Sequence, residues 1–121
     1  MGVEPFAYHQ AISDHWLVHH ETAGMDDHPE RRSEEARFLE TPEAIIGQKG
    51  LDAVARIGRA LDLDYCGVDF SVLPDGRILV FEANATMLAH REDPAGAYTY
   101  KNPYADAIAR AFQALLKARA A

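Results

Sequence analysis

Two runs of alternating apolar and polar residues flank a strong turn signal in the second half of the chain. Val68-Asp69-Phe70-Ser71-Val72 leads into Pro74-Asp75-Gly76, and Arg77-Ile78-Leu79-Val80-Phe81-Glu82-Ala83-Asn84 leads out. Period-two alternation around such a turn predicts a β-hairpin. An even-numbered connection pairs Leu73 with Ile78, Phe70 with Phe81 and Asp69 with Glu82. Val68, Phe70, Val72, Leu79, Phe81 and Ala83 then share an apolar face, and Asp69, Ser71, Glu82 and Asn84 share the other. A three-residue connection with a glycine bulge also suits Pro-Asp-Gly. It puts Glu82 on the face of Val68 and Phe70, and the cost of burying an unpaired carboxylate argues against it.

The rest of the pattern predicts two strands and three helices. Phe6 through Ser13 and Trp16 through Thr22 are β-rich runs around Asp14-His15, with Trp16 and Val18 on one face. The polar stretch from Gly24 to Ser33 reads as a loop entering a short helix that runs through Phe38. Thr41-Pro42 is an N-cap followed by proline at the first helical position. Beyond it Ile46, Val54, Ile57 and Leu61 recur at helical spacing, with close packing or a kink near Gly47. A loop over about Thr86 to Tyr100 precedes a last helix, opened by Asn102-Pro103, whose inward stripe is Tyr104, Ile108, Phe112 and Leu115. The expected fold class is α+β: an antiparallel sheet with helices packed on one face, as a single domain over residues 1–121.

Composition narrows the partners. With 121 residues, 48% of them hydrophobic, the chain has material for one core and not two. A formal net charge of −7 argues against a nucleic-acid backbone or an anionic membrane as partner. The absence of a membrane-length apolar run or a leader-like N-terminus makes the cytoplasm the expected compartment. Cys66 has no second cysteine to pair with and reads as a small core residue between acidic neighbours that discourage a thiolate. The six histidines show no finger-type or helical ligand spacing, so a zinc site is not expected.

Chemistry concentrates on the hairpin. In the favoured register the Asp69 and Glu82 Cβ atoms stand about 5 Å apart, with Asn84 roughly 6.6 Å further along the same face. Two opposed carboxylates repel, and a divalent cation between them reverses that sign; carboxylate and amide oxygens are donors magnesium accepts. Solvated surface acids would show the same spacing.

Gly67-Val68-Asp69-Phe70, followed by Leu79-Val80-Phe81-Glu82-Ala83-Asn84-Ala85, resembles the magnesium-ATP signature of the ATP-grasp superfamily, as in D-alanyl-alanine ligases and peptide-glutamate ligases. The resemblance implies that Asp69, Glu82 and Asn84 hold the magnesium bridging the phosphates of ATP. It implies carboxylate–amine ligation through an acyl phosphate, with a nucleotide and a small-molecule or peptide carboxylate as ligands. The loop after Asn84 would border the acceptor site, and its two cations, Arg91 and Lys101, are the candidates for a carboxylate or phosphate contact. The family's smaller subdomain, which supplies phosphate-binding lysines, has no counterpart here. Lys49, Lys101 and Lys117 are the only lysines, and the chain is expected to represent the C-terminal half of the catalytic fold. Gly67 also stands where some relatives carry a basic residue, and Thr86-Met87 where they carry Pro or Gly. The competing reading is a non-catalytic module in which the surface left by the missing subdomain serves a homo-oligomer or a partner subunit.

Overall fold

The computed structural model describes residues 5–8, 10–12, 24–86 and 89–121. Helix α1 spans Pro29–Glu40, α2 Pro42–Leu61 and α3 Asn102–Ala120; strands β1, Gly67–Val72, and β2, Ile78–Asn84, form an antiparallel two-stranded sheet. The α+β class and the paired central strands follow the sequence pattern. The first expected hairpin does not enter the sheet where it is described: residues 5–8 and 10–12 are irregular, and the remainder of both runs lies outside the described residues.

Proline opens α1 and α2, where its missing N–H costs nothing. Thr41 joins them, but its hydroxyl does not cap α2. It donates backwards to the Arg37 carbonyl at 3.2 Å, closing α1, while its own carbonyl accepts from Ala44 N at 3.0 Å. The kink anticipated in α2 is at Gly47, whose φ of 71° and ψ of 164° lie in a region essentially restricted to glycine. One turn on, Gly50 supplies the close packing. A Cβ there would lie 2.6 Å from Ile46 Cγ2 and 3.3 Å from Ile78 Cδ1, so a side chain at this position would have to displace Ile46 and press on the hairpin.

The core is built from Phe38, Leu39 and Ile46, against which Ala7, Leu51, Phe70, Val72, Ile78, Tyr100 and Tyr104 pack. It sits between α1, the start of α2 and one face of the hairpin near its turn. Leu61 and Phe112, expected to face inward, are exposed at 38% and 42%. Phe112 instead lays its ring edge-on to Tyr65, centroids 5.7 Å apart. Ala105 is the buried apolar residue of α3, with Tyr104 reaching the core from the helix start. Asn102 is not a cap either: its side chain is turned to the preceding loop, accepting from Glu92 N at 2.7 Å and donating to Glu92 O at 3.4 Å.

The hairpin register departs from expectation twice, and the two departures cancel. The turn is the three-residue connection, with Leu73 N bonded to Arg77 O at 2.8 Å, Gly76 N to Leu73 O at 2.9 Å and Gly76 at φ 86°. Val72, Ser71 and Phe70 therefore face Ile78, Leu79 and Val80, not the partners an even connection gives. Continued to Asp69, that register would turn Glu82 inward. A β-bulge intervenes between Asp69 and Phe70, Phe81 is left without a partner, and Asp69 returns to its place opposite Glu82, followed by Val68 opposite Ala83 and Gly67 opposite Asn84. Phe81 and Leu79 absorb the change. Phe81 is 67% exposed instead of core-facing, and Leu79, across from Ser71, joins the acid face.

Candidate functional site: an acid face and a buried lysine cluster

The outward face of the sheet carries Asp69 and Glu82 in direct cross-strand opposition, both exposed. Opposed residues in such a ladder hold their Cβ atoms about 5 Å apart. Among the described residues neither carboxylate has an ion-pair or side-chain hydrogen-bond partner, so their mutual repulsion is uncompensated within the fold. Asn84 lies on the same face opposite Gly67, which has no side chain to crowd it. Its Oδ1 accepts from both Thr86 N and Thr86 Oγ1, each at 2.8 Å, which occupies both lone pairs of that oxygen.

Two open carboxylates and one amide oxygen fit a hard cation that keeps several waters or phosphate oxygens of its own. They do not make an all-protein cage. Among the described residues no three His, Cys, Asp or Glu side chains converge as a metal group, so any such site needs Asn84 as its third donor and the Thr86 hydroxyl displaced. A cavity of about 520 Å³ lies away from the acids, between α2 and the hairpin turn, and is lined by Lys49, Arg56, Ile57, Arg77 and Ile78 among others. Lys49 there donates to the Asp75 carbonyl at 3.2 Å.

The two loop cations are committed within the fold. Arg91 is exposed and forms a charge-assisted hydrogen bond to Asp106 of α3. Lys101, in a 3-10 turn over Thr99–Lys101, is completely buried. Its ammonium stands 3.7 Å from Glu35 Oε1 and 4.0 Å from Glu92 Oε1, and it lies over the rings of Tyr8 and Tyr98 at 4.8 and 5.7 Å. A ligand-facing role for Lys101 requires this cluster to open.

Glu35, equally buried, is the residue that sequence reasoning missed. Its carboxylate accepts from Gln10 N at 2.7 Å and Tyr100 OH at 2.6 Å. The signal was present in the spacing: Glu35, Phe38 and Leu39 occupy one face of α1, so a carboxylate sits on the apolar stripe of an otherwise polar helix. Burial, together with Glu92 and Glu35, pushes the Tyr8 hydroxyl up to about 12. Tyr100 is raised by burial and by its bond to Glu35, and Tyr98 by burial and by its 2.5 Å bond to Asp26. Burial pulls Lys101 below the ordinary lysine value, against the opposing pull of Glu35 and Glu92.

No family model, curated protein or solved structure matches the chain. Among the described residues no helix is long and apolar enough to cross a membrane.

Proposed function

We propose that this chain is the metal-holding, C-terminal half of an ATP-grasp carboxylate–amine ligase. The observation that carries the reading is the opposition of Asp69 and Glu82, exposed and, among the described residues, without a cationic side-chain partner, on the hairpin face that also bears Asn84. The β-bulge at Phe81 supports it: the turn alone would carry Glu82 to the core side, and the extra residue returns it to the acid face. Asp69 and Glu82 would hold magnesium directly and Asn84 after release from Thr86. The ion's contribution, when bound with ATP, is neutralisation of phosphate charge while a carboxylate is phosphorylated and then transferred to an amine. The carboxylates act as ligands and orienting groups, not as general bases.

Magnesium relies on substrate phosphates to complete sites of this kind, and no phosphate-binding lysine stands beside these acids among the described residues. The isolated chain is therefore expected to bind magnesium weakly and to form no product from ATP. Manganese, as a spectroscopic stand-in, should bind with about millimolar affinity, and Asp69→Asn and Glu82→Gln should each weaken it at least about fivefold. The same substitutions should stabilise the metal-free chain by about 0.2 to 1 kcal/mol, because each removes a like-charge pair. Unchanged manganese binding in both variants would refute the metal face. Micromolar ATP affinity with product formation from the purified chain, both lost in Glu82→Gln, would refute the half-site reading.

A second reading rests on a different observation. Leu79, Val80 and Phe81 are consecutive and exposed at 47%, 42% and 67% on a sheet of two strands, a surface suited to a homo-oligomer or a partner subunit.

A further inference from the structure

We propose that Glu35 and Lys101 form a charged clasp that closes two segments, residues 5–12 and 89–101, onto α1 as one cooperative unit. The inference is independent of the metal face and of any ligase activity.

A fully buried lysine–carboxylate pair is a poor source of stability, because desolvation of both ions offsets most of their attraction. What such a pair imposes is a unique arrangement of the groups that satisfy it. Among the described residues, those groups come from both segments and from α1. Residues 5–12 contribute Gln10 N to the Glu35 carboxylate and the Tyr8 ring to the Lys101 ammonium. The 89–101 segment contributes Lys101 itself, Tyr100 OH to Glu35, Glu92 to the ammonium, and the Tyr98 ring. From α1 come Glu35 and Arg32, the latter bonded to the carbonyls of Met25 and Asp26 at 2.8 and 2.6 Å. Asp26 in turn accepts from Tyr98.

One further bond ties the two segments directly, and two more hold the loop to the start of α3. Tyr8 OH donates to the His90 carbonyl, and Asn102 grips both the N–H and the C=O of Glu92. Lifting residues 5–12 would uncover Lys101 and remove a donor from Glu35. Lifting the loop would take Lys101 and the Tyr100 hydroxyl away from Glu35. Each segment's release thus removes groups that satisfy a charge the other segment helps to bury, which makes separate opening unfavourable.

Hydrogen exchange on the whole chain, read by mass spectrometry, tests this. Lys101→Met and Glu35→Gln should each accelerate exchange at least about tenfold in both 5–12 and 89–101, with β1, β2 and the second half of α2 unchanged. The double variant should be no looser than either single variant, since both break one unit. Acceleration confined to one segment, or additive effects in the double variant, would overturn the proposal. If a variant loosens the hairpin as well, the wild-type chain provides the second measurement. In sub-denaturing urea at constant pH the two segments should open with a common midpoint while the hairpin stays protected. Separate midpoints, or release only on global unfolding, would overturn it.

Discussion

At the scale of single residues, the chemistry of the buried cluster has a pH signature whose sign can be worked out. Tyr8, Tyr98 and Tyr100 all have folded-state values above the ordinary tyrosine value of about 10. Their contribution to stability is fully present below pH 10 and is lost as pH climbs from there toward the raised values, about 12 for Tyr8. Lys101 has the opposite sense. Its folded value is lowered, so stability from this group rises with pH between that value and the ordinary lysine value of about 10.4. Above about pH 10.4 the lysine contribution no longer changes while the tyrosine contributions are still being lost, so stability should fall there. Tyrosinate absorbance at 295 nm should rise together with loss of helical dichroism; an absorbance rise completed while the helices remain intact would contradict the cluster. Tyr100→Phe should cost about 1 kcal/mol at neutral pH, by withdrawing a donor from buried Glu35. Individual residues were unevenly legible in the sequence. The shared face of Asp69, Glu82 and Asn84 was readable from alternation, and Lys101 only as one of two cations in a loop. Its burial was not readable, because its counter-charge lies 66 positions earlier in the chain and nothing local marks the pairing.

At the scale of elements, the sequence specified what each segment would become better than how segments would meet. Thr41-Pro42 marked the start of α2 and glycine marked its kink, because both act through the local backbone. Pro74-Asp75-Gly76 marked the turn but not its length, since the same three residues serve two registers that differ by one. The bulge at Phe81 was invisible for a related reason: an extra residue leaves a run of apolar side chains looking continuous. That bulge makes a prediction that runs against the usual effect of a deletion inside a strand. Removing Phe81 would let Glu82 follow Val80 directly, with Phe70 still opposite Val80 and Asp69 still opposite Glu82. The ladder becomes regular and every face is preserved, so the deletion should leave the melting temperature within about 5 °C of the parent. Loss of the folded state would show that the bulge's added twist is needed, not only its change of register. The glycines of α2 give a contrasting pair. Gly47→Ala has open space but a forbidden backbone and should cost about 1 to 3 kcal/mol. Gly50→Ala has a helical backbone but meets Ile46 and Ile78, so an overpacking cost of about 1 to 3 kcal/mol is set against about 1 kcal/mol of gained helix propensity. Thermal melts of the two variants should show Gly47→Ala the more damaging.

At the scale of the whole molecule, the arrangement of exposed apolar residues is the feature least reconciled with a free-standing chain. Among the described residues, Phe70, Val72 and Ile78 meet the core at the turn end of the sheet's inner face. Val80, across from Phe70, is already 42% exposed, and Leu79 and Phe81 on either side of it are more so. Among the described residues each strand pairs on one side only, so each also presents an edge. This surface could not be deduced from alternation, which assigns faces to a strand but does not say how much of each face the rest of the chain is long enough to cover. Apolar exposure favours association, while a net charge of −7 on every copy opposes it. Screening weakens the second term and leaves the first, so association should grow with ionic strength between about 0.01 and 0.5 M as the Debye length falls from about 30 Å to a few ångströms. Sedimentation at tens of micromolar should therefore give a mass that rises with both protein and salt concentration. The double substitution Leu79→Thr with Phe81→Thr should hold the chain monomeric without lowering its melting temperature, because neither side chain belongs to the core. A parent chain that stays monomeric throughout, with no change on substitution, would mean that this apolar surface is tolerated in water and carries no drive to association.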